Sequence, residues 1–270
     1  MSHTKRKMIA NYHTHTARCN HAFGMDEEYV LAAIRQGIKV LGFSDHMAWP
    51  PLKGEKQYIR MKTDQIEDYA ESVRYLKEKY KDDITIYLGF EAEYFPDRAD
   101  WLREAKETYH LDYYILGQHY HNYESNETYF GKYANRKTLV SDYLSDLKAA
   151  GESGLFLYYA HPDIYMARCK TVTEEMLEAV DTICEYSRKY NMPLEYNLQG
   201  MREKPFIKYY YPRDDFWERA ARHKVDVIIG GDYHCPEVME PDMCYADAYE
   251  YLSGLGFHIL DEMEMKNVRE

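Results

Sequence analysis

The sequence predicts an α/β fold, a distorted seven-stranded (β/α)7 TIM-like barrel. Strand-like apolar runs alternate with helix-period segments from one end of the chain to the other. With 270 residues, 45% of them hydrophobic, the chain can bury the core of one barrel-sized domain. No linker, repeat or low-complexity segment interrupts the pattern, so we expect residues 1–270 to form a single domain.

The predicted elements follow one another as about seven βα units. The strand-like runs are 7–11, 40–44, 84–90, 113–116, 155–159, 193–196 and 225–229, with a short final run at 257–260. The helical segments are 26–36, 63–80, 98–109, 139–150, 173–190, 214–223 and 246–254. Such a series is typical of parallel strands closed into a barrel.

Local signals place several helix ends. Gly37 is expected to end the first helix and Gly151 the fourth, since glycine adopts the left-handed conformation common at helix C-termini. Thr63 and Thr173 are the predicted N-caps of the second and fifth helices. The two long connections 47–62 and 120–137 follow strands, on the side of a barrel where loops carry specificity.

Composition excludes several classes of partner. The formal net charge of -12 disfavours nucleic acid, whose phosphates are bound by basic patches. No apolar run approaches the roughly 20 residues that span a bilayer, and the N-terminus lacks a signal-peptide stretch. The 5 cysteines are scattered and read as reduced thiols. We therefore expect a cytoplasmic protein with neither nucleic-acid nor membrane partners.

Metal-ligating residue types recur where the strand-like runs end. His13 and His15 lie two residues apart on the first strand, so their side chains point to the same face. Later runs are followed by further candidates: His46, Glu91, His119, His161, Asp232 and His234. Because the strand C-termini of a βα barrel meet at one end, we expect a single convergent site. Imidazole and carboxylate together suit zinc, iron or manganese.

In the order of these motifs, the sequence resembles the polymerase and histidinol phosphatase (PHP) family of metallophosphoesterases over nearly its full length. Within that family it is similar to the stand-alone histidinol-phosphate phosphatase type. The resemblance implies three divalent metal ions and a small-molecule phosphate ester as substrate. The implied reaction is hydrolysis of L-histidinol phosphate, a step of histidine biosynthesis, by a hydroxide that bridges two of the metals.

The resemblance also implies a ligand set. The implied ligands are His13, His15, Glu91 and Asp232 for the first metal, Glu91, His119 and His161 for the second, and His21, His46 and His234 for the third. A carboxylate shared by two dications offsets their repulsion, which is a physical reason for the bridging position of Glu91. Glu93 is interpreted either as a further carboxylate of the site or as half of a structural salt bridge.

Two groups of residues are candidates for catalysis and phosphate binding. Glu91 and Asp232 would hold the attacking hydroxide, and Asp45 or Asp232 would protonate the leaving alkoxide. Asp45 could instead orient a metal ligand. The candidate phosphate-binding residues are Arg168, Arg202 and Arg18. A planar guanidinium grips phosphate through two donors, and a solvated surface arginine is the alternative for each.

Three other hypotheses compete with this one. An amidohydrolase-type barrel also opens with His-x-His, but it would leave His21, His46 and His234 without a role. A PHP domain could act on another small phosphomonoester or a nucleotide. A metal-binding domain without catalysis would be expected to lack some of the ligands, whereas this sequence retains them all.

Overall fold

The computed structural model describes residues 6–51, 57–122, 128–132, 137–239 and 243–265, so parts of the loops 47–62 and 120–137 lie outside the described residues. Its parallel strands form one sheet in chain order. The strands are β1 Ala10–Asn11, β2 Val40–His46, β3 Thr85–Ala92, β4 Tyr113–Leu116, β5 Phe156–Tyr159, β6 Leu194–Asn197, β7 Asp226–Gly230 and β8 His258–Leu260. The α-helices are α1 Asp26–Gln36, α2 Ile66–Lys79, α3 Ala99–Thr108, α4 Leu139–Ser153, α5 Glu174–Tyr190, α6 Leu198–Glu203, α7 Asp214–Ala220 and α8 Met243–Gly254.

The predicted α/β barrel-like fold is confirmed, but the sheet has 8 strands rather than seven. The added strand β8 pairs with the first residues of β7. Beyond the end of β7, Tyr233 forms a parallel bridge with Thr14. The bridge is made by hydrogen bonds from His15 N to Tyr233 O (2.9 Å) and from Tyr233 N to His13 O (3.2 Å). The extensions of β1 and β7 therefore meet at the end of the sheet that carries the predicted site.

Apolar side chains fill both faces of the sheet. Between the sheet and the helices lies the larger core, to which β2 contributes Leu41 and Phe43. A smaller cluster lies on the inner face and includes Tyr12, Tyr113 and Tyr158. Near the C-terminus, Met263 packs against this inner cluster, and its N–H donates to the Tyr12 hydroxyl at 3.0 Å. The inner face is therefore a packed core below the site rather than a pore.

Three local predictions are corrected. Helix α4 continues through Gly151 to Ser153 and is capped by Gly154, which has φ 69. Gly151 serves packing instead, because a Cβ there would overlap the ring of Tyr190. Thr63 begins a short 3-10 turn rather than capping α2. The loop after β6 contains the additional helix α6, whose first turn is capped by the side chain of Asn197 accepting from Gly200 N.

Thr173 is confirmed as the N-cap of α5, since its side chain accepts from Met176 N at 3.3 Å. Gly37 also ends α1 as predicted, with φ 83. Across the described ranges, every helix is too short or too polar to cross a membrane.

Candidate metal centre

The predicted metal ligands converge at the C-terminal end of the sheet. They lie at or just beyond the ends of β1 to β5 and β7. All are buried except His21, which is exposed, and His234, which is half-buried. Because parallel strands all end on the same side, residues far apart in sequence reach one place without long connections. The convergence predicted from the strand ends is therefore found in the structure, and each ligand's role stays a prediction.

Glu91, at the end of β3, occupies the middle of the cluster. Its Oε1 lies 2.8 Å from His161 Nε2 and 3.3 Å from His119 Nε2. Its Oε2 faces ring nitrogens of three other histidines, His46 at 3.0 Å, His13 at 3.4 Å and His15 at 3.5 Å. The two oxygens thus face two different groups of imidazoles, as a carboxylate that bridges two metal ions would.

Asp232 supplies the second buried carboxylate. Its Oδ1 lies 3.1 Å from His15 Nε2, 3.5 Å from His13 Nε2 and 3.4 Å from His234 Nδ1. Its Oδ2 accepts a hydrogen bond from Asn197 Nδ2 at 3.0 Å. Asp232 has φ 47, a left-handed conformation that aspartate tolerates better than most residues.

A third group lies towards the surface. Ligand atoms of His21, His46 and His234 lie within 4.8 Å of one another. The His21 ring is fixed through its Nδ1, 2.9 Å from Cys19 O. The His234 ring is fixed in the same way, with Nδ1 2.9 Å from Gln199 Oε1, which leaves the two Nε2 atoms facing each other. Second partners of this kind orient metal-ligating histidines.

The chemistry of these side chains fits divalent metal ions. Buried side-chain atoms without a hydrogen-bond partner gather here: His13 Nε2, His15 Nε2, His46 Nδ1, Glu91 Oε2 and Asp232 Oδ1. Burying a polar atom without a partner costs about 1–3 kcal/mol, so such a concentration is unfavourable unless a ligand satisfies it. Among the described residues, the groups that could hold an ion are His13–His15–Asp232, His13–Glu91–His161, His15–His46–Glu91, His21–His46–His234 and His15–Cys19–His234.

The surroundings keep both central carboxylates ionised. Burial acts to raise the pKa of Glu91, but the facing His119 and His13 hold it well below its usual range. Burial likewise opposes ionisation of Asp232, and His13 and His15 hold its pKa well below its usual range. Ionised carboxylates are the form that binds metal.

Two of the outer imidazoles are held neutral. Burial, together with repulsion from His15, lowers the pKa of His46 and of His234 well below the usual range. His15 differs: burial lowers its pKa, but the neighbouring carboxylates of Asp232 and Asp45 outweigh burial and raise it to about 9. A metal ion bound at His15 must therefore displace a proton.

Glu195 belongs to the site but was not predicted from the sequence. It is fully buried in β6. Its Oε1 accepts from His13 Nδ1 at 2.7 Å and from the Tyr158 hydroxyl at 3.3 Å. Its Oε2 accepts from His161 N and from Asn197 Nδ2, both at 3.0 Å. The sequence feature that could have identified Glu195 is that it is the single charged residue within the apolar run 193–196.

Arg60 was also missed, because it comes from the loop 47–62, whose path local patterns do not define. Its guanidinium is buried and donates to both oxygens of Glu93, at 3.0 and 3.1 Å. Glu93 also accepts from Trp49 Nε1 at 3.2 Å, and its Oε1 lies 3.2 Å from His119 Nδ1. Both interpretations of Glu93 therefore apply: it forms a buried salt bridge, and it contacts a predicted ligand.

We expect Arg60→Met to lower the free energy of unfolding by about 3–5 kcal/mol, because it leaves the Glu93 carboxylate buried without its cation. Urea unfolding of the wild type and the variant would measure this. The surface pair of Arg103 with Asp100 provides the control, since Arg103→Met should cost no more than about 1 kcal/mol. Adding Glu93→Gln to Arg60→Met should recover part of the loss. An Arg60→Met variant as stable as the wild type would contradict the assigned role.

Asp45 lies behind the ligands. Successive residues of a strand alternate between its faces, so Asp45 and the neighbouring His46 point to opposite faces of β2. The buried Asp45 carboxylate accepts from Thr16 N at 3.3 Å and from His46 N at 2.8 Å, and lies 3.7 Å from His15 Nδ1. This position favours the alternative in which Asp45 orients a metal ligand.

The three candidate phosphate-binding arginines have different surroundings in the structure. The Arg18 guanidinium forms ion pairs with Asp26 at 2.8 Å and Asp68 at 2.9 Å, which favours the surface-arginine alternative. Arg202 donates to the backbone carbonyl of Gly231 and so supports the turn that carries Asp232.

Arg168 lies near Tyr129 and Tyr210, two tyrosines beside the site. Its backbone has φ 62 and its N–H donates to Tyr209 O at 2.7 Å. Its exposed side chain interacts electrostatically with Tyr129 and Tyr210. Of the three candidates, Arg168 therefore has the position that best suits a substrate-binding group.

A cavity of about 350 Å³ opens next to the cluster and is named here the central cavity. The predicted ligands that border it are His21, His46, Glu91, His119, His161, Asp232 and His234. Its other lining residues are Ile59, Tyr120, Tyr129, Gln199, Tyr210 and Tyr211. The candidate metal centre is thus open to a small molecule.

Known proteins resemble this chain over most of its length. A family model, the PHP domain, matches residues 11–199. The chain is 27% identical over 254 residues to the "Probable histidinol-phosphatase" of Deinococcus radiodurans, covering 92% of this chain and 94% of that protein. It is 22% identical over 247 residues to the "Histidinol-phosphatase" of Bacillus subtilis, covering 82% of this chain and 92% of that protein.

A solved structure with a similar fold is the histidinol phosphate phosphatase (HISK) of Lactococcus lactis subsp. lactis, complexed with zinc, L-histidinol and phosphate. The TM-score is 0.71 and the sequence identity 17%, covering 96% of this chain and 100% of that chain. At this identity the likeness establishes the fold.

Proposed function

This chain belongs to the PHP domain family, and on that premise we propose that it is a metal-dependent phosphatase that hydrolyses L-histidinol phosphate to L-histidinol and phosphate. The observation that carries the proposal is the convergence of the predicted ligands beside the central cavity. The full-length similarity to proteins named histidinol-phosphatase supports the choice of substrate. Membership of the PHP domain family argues against the hypothesis of an amidohydrolase-type barrel.

We propose that three divalent ions, zinc, iron or manganese, occupy the ligand groups assigned by the resemblance. When bound at such a site, divalent ions lower the pKa of water and neutralise charge on the phosphoryl oxygens. The bridging hydroxide expected from the resemblance is part of this proposal. Glu91 and Asp232 would supply the anionic charge that holds the ions together, and Asn197 fixes the Asp232 carboxylate by its hydrogen bond to Oδ2.

The remaining groups take positioning and binding roles. Glu195 holds the ring of His13 from behind by its hydrogen bond to Nδ1, which fixes the direction of the nitrogen that faces the metal positions. Asp45 lies behind His15, 3.7 Å from its Nδ1, and would orient that ring by its negative charge. Asp232 is then the better placed of the two candidates to serve the leaving alkoxide, because it borders the central cavity. Its carboxylate is ionised before the reaction, so it would first take the proton of the attacking hydroxide and then pass that proton to the alkoxide. Arg168 binds the phosphate, and Arg202 supports the Asp232 turn.

The proposal predicts strong selectivity among phosphate esters. Phosphate release would be measured with L-histidinol phosphate, an aryl phosphate, a 5′-nucleotide and a phosphodiester, on protein stripped by a chelator and reloaded with manganese or zinc. We expect a kcat/KM for L-histidinol phosphate at least about 10³-fold above the others, and no turnover before reloading. Equal, low rates on all monoesters would leave a metallophosphatase of another substrate. Full activity without metal would contradict the proposal itself.

A further inference from the structure

One part of the central cavity consists of aromatic rings. Tyr120, Tyr129, Tyr210 and Tyr211 all line it and are named here the tyrosine wall. The ring centroids of Tyr120 and Tyr129 lie 5.3 Å apart, and those of Tyr210 and Tyr211 lie 4.3 Å apart. Tyr129 interacts electrostatically with both Tyr210 and Tyr211, so the two pairs are neighbours.

The tyrosine wall lies directly beside the candidate metal centre. Tyr120 follows the predicted ligand His119, and a backbone hydrogen bond from Phe130 N to His119 O (2.7 Å) sets Tyr129 opposite it. On the other side, the Tyr211 ring lies 5.5 Å from the ring of His161. A molecule whose phosphate lies on the metal ligands therefore meets the tyrosine wall with its remaining atoms.

The backbone around the tyrosine wall holds it in place. Gly200 lies so close to Tyr211 that a Cβ would overlap its carbonyl oxygen and its ring. The backbone N–H of Arg168 donates to Tyr209 O, which ties the segment before Tyr210 to the turn after β5. Rings held in this way lose little conformational freedom when they bind a ligand.

The chemistry of the wall favours a flat and uncharged partner. Tyr129 and Tyr210 are half-buried, so parts of their rings remain accessible. Apart from the predicted metal ligands, the described residues that line the cavity include no Asp, Glu, Lys or Arg. Arg168 is a cation close enough to Tyr129 and Tyr210 to act on the pKa of both, and its charge disfavours a second positive charge against these rings.

We propose that the tyrosine wall binds a flat ring in the alcohol portion of the phosphate ester and so selects ring-bearing phosphomonoesters. The inference rests on the proposed function, because it takes the central cavity as the active site. Aromatic rings pack against each other in offset or edge-to-face arrangements, with centroids about 4.5–7 Å apart. Each accessible ring is expected to contribute about tenfold in kcat/KM to substrates that carry a ring.

The test separates the ring from the amine with four substrates. L-Histidinol phosphate has both groups, L-alaninol phosphate only the amine, 3-phenylpropyl phosphate only a ring, and propyl phosphate neither. We expect Tyr129→Leu and Tyr210→Leu each to lower kcat/KM about tenfold for the ring-bearing esters, mainly through KM, and to leave the other two unchanged. Tyr75→Leu is the matched control, since Tyr75 is 63% exposed on α2 and does not line the cavity.

Other outcomes would overturn the proposal. An equal loss on all four esters would indicate a structural role, and a loss that follows the amine would indicate cation binding. Calorimetric binding of L-histidinol and L-alaninol to the metal-loaded protein tests the wall without turnover. If the wild type binds L-histidinol no better than L-alaninol, the wall has no ring selectivity. If the ring preference appears in binding but none of the four esters is hydrolysed, the proposed function fails while the subsite stands.

Discussion

Asp232→Asn is expected to lower kcat by at least about 10³-fold, because it removes one of the two central negative charges. The Asp232 Oδ1 lies within 3.5 Å of ring nitrogens of His13, His15 and His234. An asparagine offers a neutral oxygen in place of a carboxylate and binds divalent ions more weakly. The carboxylate that we propose to pass a proton to the leaving alkoxide is lost in the same substitution.

The fold should survive this substitution. The left-handed backbone of Asp232, with φ 47, is one that asparagine adopts as readily as aspartate. The side-chain oxygen of asparagine can also keep the hydrogen bond from Asn197 Nδ2. A loss of activity in this variant would therefore report on the charge rather than on the barrel.

Steady-state kinetics, metal content per chain and a thermal unfolding curve would be measured together for Asp232→Asn. Asp226→Asn is the matched control, since Asp226 begins the same strand β7 at the opposite end and contacts His258 on the surface. The control should retain full turnover and metal content. If Asp232→Asn kept half of the wild-type activity, the assignment of Asp232 to the metal centre would be wrong.

Strand periodicity accounts for most of what was predictable. The residues at strand ends were found because alternation places His13 and His15 on one face, and because parallel strands end together. The same rule explains Asp45: its position next to His46 in the sequence puts it on the other face of β2. Neighbours in sequence on a strand are thus poor candidates for a shared catalytic role.

Contacts between distant segments were not predictable. Arg60 pairs with Glu93, just beyond the end of β3, and Arg18 pairs with Asp26 on α1 and Asp68 on α2. Each of these contacts forms only in the folded chain. A charge pattern shows that an arginine is present, but tertiary packing decides which acid it pairs with. The remaining candidate, Arg168, differs from the other two in lying near Tyr129 and Tyr210.

Glu195 is the residue whose tertiary contacts, which the sequence does not show, have the largest consequence for the site. Each of its oxygens accepts from two donors: Oε1 from His13 Nδ1 and the Tyr158 hydroxyl, and Oε2 from His161 N and Asn197 Nδ2. A glutamine has one oxygen and one NH₂ group. In either orientation of the amide, the NH₂ group faces two groups that are themselves donors, so those two donors lose their acceptor. The volume of the side chain is unchanged, and the hydrogen bonding on one side is lost.

We expect Glu195→Gln to lower metal affinity about 10–100-fold and kcat/KM by at least the same factor at limiting metal, since residues that orient metal-ligating histidines carry effects of this size. Metal titration of the stripped protein, followed by metal content after dialysis, would measure the affinity. Glu185→Gln is the control, because Glu185 is exposed on α5. The hydrogen-bonding role also predicts that excess metal restores part of the activity of Glu195→Gln. A variant that binds metal like the wild type yet is inactive would instead place Glu195 in the reaction itself.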